Sequence, residues 1–182
     1  MDWNRGGNMR KFNSAFVVSA ILLLIFGGCG GGVREEPGGK KTIETKDGKV
    51  TLQSKPGDEG SWSVETKTGK VTIGAGASAE VKLPTWLPAC PNGTVKMSSN
   101  EDKPGNRTGV VTWTTTDPAQ KIYRFYEKAL KDAGLTVNTM SQDNGASGGM
   151  LMASEPSDQR RAHVTVLVEK NETVVQLSYI LK

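Results

Sequence analysis

Two cysteines, Cys29 and Cys90, and one histidine, His163, are the residues best suited to nucleophilic or metal chemistry in this 182-residue chain. A cysteine nucleophile needs a base within hydrogen-bond reach, and His163 is the one imidazole available. A structural metal site needs three or four clustered ligands, which one histidine makes improbable. The acid pairs Asp58-Glu59 and Glu101-Asp102 stand near Pro and Gly without calcium-loop spacing and read as solvated loop charges. Gly74-Ala75-Gly76-Ala77-Ser78-Ala79 follows a strand as a dinucleotide fingerprint would. Pro84 leaves no room for the helix that must come next. The expectation is a non-enzymatic chain with no cofactor, in which Cys90 is a packing cysteine.

Charge and hydropathy then bound the chain's surroundings. The formal net charge is +4, but Arg5, Arg10 and Lys11 precede an apolar run and only Asp2 opposes them there. The remaining body is nearly neutral, which argues against a nucleic-acid partner, since such a partner needs a concentrated basic face. Met9-Arg10-Lys11-Phe12 is a basic lead, and Met9 can serve as an alternative start. Residues 15–26 (AFVVSAILLLIF) form an apolar run of 12 residues. That length suits a secretory signal of about 7–15 apolar residues and falls short of the about 20 a spanning helix needs. Glycines on both sides of Cys29 end the run, and glycine is a poor helix former.

Phe26-Gly27-Gly28-Cys29 resembles the lipobox of bacterial lipoproteins, which usually have Leu where Phe26 stands. The resemblance implies removal of residues 1–28 as a signal peptide and acylation of Cys29, so that lipid holds the chain to a membrane. Gly30 follows the cysteine where inner-membrane lipoproteins carry Asp. In a cell with two membranes this implies the outer membrane. Two or more acyl chains make a stable anchor where one binds reversibly. Residues 29–41 then read as a lipidated flexible tether, rich in Gly, Pro and mixed charge.

Residues 43–52 (IETKDGKVTL) return as residues 64–73 (VETKTGKVTI). Each copy reads as strand, tight turn, strand, with Asp47-Gly48 as a type I′ turn and Thr68-Gly69 as a weaker version. Residues 42–82 are thus expected to be a short β-hairpin repeat region. Repeats of this kind resemble those of bacterial surface adhesins.

Residues 83–182 read as an α+β domain. Leu83-Pro84-Thr85-Trp86-Leu87-Pro88 forms an extended arm. Residues 109–116 form a strand. Asp117 or Thr116 caps a helix whose first turn holds Pro118 and which Gly134 closes. Ile122, Phe125, Tyr126, Ala129, Leu130 and Ala133 line one apolar stripe. Strands follow at 135–140, 149–154, 162–170 and 172–181. The last two place Val164, Val166 and Val168, and Val175, Leu177, Tyr179 and Leu181, on one face. The fold class is an antiparallel sheet covered by one amphipathic helix. The strand face away from the helix carries Thr112, Thr114, His163, Thr165, Gln176 and Ser178, a candidate binding face. Met140, Met150 and Met152 fill the core or an edge, or else line an adaptable groove.

Leu-Pro in the arm, and Phe125, Tyr126, Leu130 and Gly134 in the helix, resemble a family of uncharacterised bacterial envelope lipoproteins. That resemblance implies location and fold, not activity. The combined expectation is a lipid-anchored envelope protein that binds another protein or a cell-wall component. An envelope hydrolase or a small-ligand carrier is the alternative.

Overall fold

The computed structural model describes residues 33–36, 40–53, 60–141 and 147–182. Cys29, the apolar run and the pair Asp58-Glu59 lie outside the described residues. The first ribbon of strands is β1 (Val33–Glu36), β2 (Lys40–Thr45), β3 (Gly48–Gln53), β4 (Ser61–Thr66) and β5 (Gly69–Ala75). Then come β6 (Thr94–Lys103), β7 (Asn106–Thr115), the helix α1 (Ala119–Asp132), β8 (Thr136–Ser141), β9 (Gly148–Ser154), β10 (Arg160–Glu169) and β11 (Glu172–Leu181). All join one sheet in the order β1-β2-β3-β4-β5-β6-β7-β11-β10-β9-β8. Every neighbouring pair is antiparallel. The architecture is α+β, dominated by sheet. Among the described residues, no helix is long and apolar enough to cross a membrane.

Alternation decides which side of the sheet is core. Val111, Leu177, Val164 and Leu151 stand in register across β7, β11, β10 and β9 and are all fully buried. Helix α1 packs on this side through Ile122, Tyr126 and Leu130. Tyr123, outside the expected stripe, is buried too. The segment before β6 covers the rest of the same side. Leu87 is buried there, and Val81, Leu83 and Trp86 pack against the core. The Tyr179 hydroxyl donates to the Lys82 carbonyl at 2.5 Å. Ser98 and Asn100 of β6 both donate to the Glu80 carbonyl at 2.9 Å. Those two bonds satisfy the Ser98 hydroxyl and the Asn100 Nδ2 at inward positions that would otherwise be costly to bury, while the Asn100 Oδ1 is buried without a partner among the described residues.

Several expectations change. Helix α1 begins at Ala119 with Pro118 as N-cap and no side-chain cap. Asp117 instead accepts from Lys121 at 2.9 Å and from Asn92 at 3.1 Å, and these two partners hold its carboxyl below the ordinary carboxylate range. At the other end Gly134, at φ +79, lets the Leu135 amide reach the Leu130 carbonyl. Glu101 and Asp102 lie within β6 rather than in a loop. The stretch read as a tether contains β1 and the start of β2.

The two hairpin turns also differ. Their central residues are Lys46-Asp47 and Lys67-Thr68, closed by the pairs Thr45–Gly48 and Thr66–Gly69. None of these turn residues has the positive φ a type I′ turn requires. The glycines serve close packing instead. A Cβ on Gly48 would stand 2.1 Å from the Glu65 carbonyl oxygen, and one on Gly69 2.6 Å from that of Asp102. The turn with two positive φ values is Lys170-Asn171, between β10 and β11.

On the core side of β2–β7 a ladder of alternating charge, Glu44–Lys49–Glu65–Lys70–Asp102–Arg107, crosses six strands in register. Arg107 closes on Asp102 at 2.6 Å. A one-residue slip would move these charges to the other face, so the ladder helps fix the pairing.

Candidate functional site

The strand face opposite α1 brings the candidate binding residues together. Thr112, Gln176 and Thr165 are successive cross-strand partners on β7, β11 and β10, and Ser178 and His163 are partners one row away. Thr114 lies one row away on the other side, opposite Val174. Gln176 is exposed and the other five are partly buried by their neighbours. Alternation in β7, β10 and β11 suffices to place all six, because side chains at i and i+2 share a face.

The residues do not act as one cluster. A groove of about 420 Å³ takes in His163 and Ser178 and excludes the threonines. Its other walls are Asn138 of β8, Met152 of β9, Arg161 and Ile180, with Asp158 at one end. The His163 Nε2 atom is buried beneath its neighbours and has no hydrogen-bond partner among the described residues. Asp158 sits in a turn at φ +58. It accepts two bonds from Arg161, and Lys182 reaches it at 3.2 Å. The Arg161 contact, strengthened by Lys182, holds the Asp158 carboxyl below its ordinary range. Arg161 lines the groove paired with Asp158, so this end is charged without an excess of either sign. Met152 and Ile180 make its wall apolar, and Met152 is an exposed side chain.

Sequence reasoning missed Asn138, Asp158, Arg161 and Ile180. Parity places Arg161 and Ile180 beside His163 and Ser178, so that signal was present. Asp158 enters through its turn, which strand alternation does not reach.

Cys90 and His163 form no pair. His163 faces away from α1, whereas Cys90 is buried on the core side, near Gly93 and next to Trp113. Burial, then the nearby Asp117 carboxylate, pushes the Cys90 thiol up to about 11 from an ordinary value of 9.0. The neutral thiol is therefore the form the fold favours. Below about pH 9 the thiol is protonated both folded and unfolded, and stability is independent of it. Between about 9 and about 11 only the unfolded thiol ionises, so stability falls as pH rises. Cys90→Ala is expected to flatten that fall. Urea midpoints of both proteins at about pH 8 and about pH 10 check it.

Among the described residues no three His, Cys, Asp or Glu side chains gather in a way that could hold a metal ion. Asp47 and Glu65 share a shallow surface groove with Lys46, Lys49 and Lys67 at the hairpin turns, where lysines outnumber the carboxylates.

Residues 95–178 match a family model described as START domain-like. The match runs from β6 to β11 and takes in α1, His163, Arg161 and Ser178. It leaves β1–β5 outside and covers fewer than half of the residues. No curated protein and no solved structure matches the chain.

Proposed function

We propose that this chain is a non-enzymatic binding module of the cell envelope, held to a membrane by lipid on Cys29, that takes an amphipathic ligand in the groove beside His163. The observation that carries the reading is a groove of about 420 Å³ lined by His163, Ser178 and Asn138, with an apolar wall of Met152 and Ile180 and the Arg161–Asp158 pair at one end. The START domain-like match over the same strands supports a ligand-binding module. The ligand can be a small molecule or a partly apolar element of a protein or cell-wall partner.

The lipobox-like Phe26-Gly27-Gly28-Cys29 supports the anchor, and Gly30 supports the outer membrane where there are two. The paired hairpins of β2–β5 support the reading of residues 42–82 as two copies of one unit. A carrier that encloses its ligand between helix and sheet is less favoured. Ile122, Tyr126, Leu130, Val164 and Leu177 already fill that interface and are fully buried.

The test uses anilinonaphthalene sulfonate, an amphipathic anion whose fluorescence rises in apolar surroundings. His163→Phe removes the polar atom, and Met152→Trp fills the groove. Each is expected to weaken dye binding about tenfold, the loss of roughly 1.4 kcal/mol of interaction. Leu167→Ser, exposed on the same sheet face but outside the groove, serves as the control. Unchanged binding in both groove variants would remove the groove as the site.

A further inference from the structure

The ribbon β2–β5 is amphipathic in the opposite sense to the rest of the sheet. Its core-side positions are polar, with Thr42, Thr51, Ser63 and Thr72 in one row and the charge ladder in the next. Its other face is apolar in two rows. Ile43, Val50, Val64 and Val71 form one, and Leu52, Trp62 and Ile73 the other, ending at Lys41. Trp62 is 37% exposed, and the other six are partly exposed. No element among the described residues packs over this face. Helix α1 contacts β8, β9 and β10, at the far end of the strand order.

We propose that the apolar face of β2–β5 lies on the surface of a lipid bilayer. The proposal rests on the anchored reading of Cys29 for its geometry. Only four residue steps separate Cys29 from Val33, the first residue of β1. Fully extended, that is at most roughly 14 Å. An acylated Cys29 therefore keeps the β1 edge within about that distance of the membrane, close enough for the neighbouring ribbon to lie on it. The rim suits an anionic surface. Lys46 and Lys67 are exposed at the two turns beside the apolar rows, with Asp47 next to Lys46, while Lys41 beside Leu52 is paired with Glu35 at 2.7 Å. Tryptophan, with an apolar body and a polar N–H, favours the membrane interface. A second copy of the chain fits less well. Four strands and two rows make a footprint of roughly 19 by 14 Å, about a third of the ~800 Å² per partner of a stable interface.

The experiment uses the full chain, expressed in bacterial membranes, extracted and reconstituted into phosphatidylcholine vesicles containing about one-third phosphatidylglycerol. Part of the phosphatidylcholine carries bromine on its acyl chains, which quenches tryptophan at close range. The difference between wild type and Trp62→Phe isolates the Trp62 signal. It is expected to lose at least about half its intensity to brominated lipid, as fits a ring at the interface. Lys46→Glu with Lys67→Glu is expected to reduce the quenching in these vesicles and to change it little in pure phosphatidylcholine.

Intact mass of the same sample reads the anchor independently. A chain that starts at Cys29 with acyl mass but whose Trp62 is not quenched overturns the docking and leaves the anchored reading standing. Quenching of Trp62 without acyl mass supports the docking and overturns the anchor. An unquenched Trp62 in a chain that sediments as a dimer overturns the proposal in favour of a second copy.

Discussion

Gly109→Val is expected to destabilise the fold by about 3–5 kcal/mol, combining overpacking with a lost buried hydrogen bond. A Cβ at Gly109 would stand 2.4 Å from the Tyr179 ring and 2.8 Å from its hydroxyl oxygen. Tyr179 is the direct cross-strand partner of Gly109, so its ring lies over the bare backbone. It cannot move aside cheaply, because it is buried and its hydroxyl ties β11 to the Lys82 carbonyl. Denaturant unfolding of Gly109→Val, Tyr179→Ala and the double variant checks this. If the ring is the obstacle, the valine penalty shrinks in the Tyr179→Ala background. An equal penalty in both backgrounds would show that the ring is not its source.

Trp113→Ala is expected to cost about 3–5 kcal/mol, the usual range for deleting a buried aromatic. Trp113 is 2% exposed on the core side of β7, between Val95 and Val175. It also backs the turn where the Gly93 amide donates to the Cys90 carbonyl, since a Cβ on Gly93 would lie 3.0 Å from the indole. The loss should therefore loosen that turn as well as the sheet. Chemical denaturation reads the first effect. The rate at which a thiol reagent modifies Cys90 reads the second and should rise in the variant. A Cys90 as slow to react as in the parent would separate the turn from the indole.

Helix α1 was legible because Ile122, Tyr126 and Leu130 repeat at the helical period. Tyr123 escaped because contact with β9 widens the buried stripe beyond that period: a Cβ on Gly149 would meet its ring. Strands β10 and β11 were legible from strict alternation, and so was the face bearing His163 and Ser178. Strand β6 was not. Its two buried positions are Ser98 and Asn100, made acceptable by a carbonyl 18 and 20 residues earlier in the chain. No local pattern announces a partner that far away. The hairpins of β2–β5 were visible as a repeat. Which side their apolar residues would take depended on the β5–β6 register, where Ile73 meets Ser99.

The order of the sheet has a consequence for how the chain is made. β11, latest of the strands in sequence, lies between β7 and β10, and each of those three strands is ten residues long. Until residues 172–181 leave the ribosome, or clear an export channel, β7 and β10 each present an open edge that can pair with a neighbouring nascent chain. The two halves of the sheet cannot be joined at this seam before the interval between β7 and β11 has been delivered, and such non-local pairing is slow. A translation product ending after β10 but before β11 would therefore keep both edges, and protection of the unfinished chain by a holding chaperone would matter most in that interval.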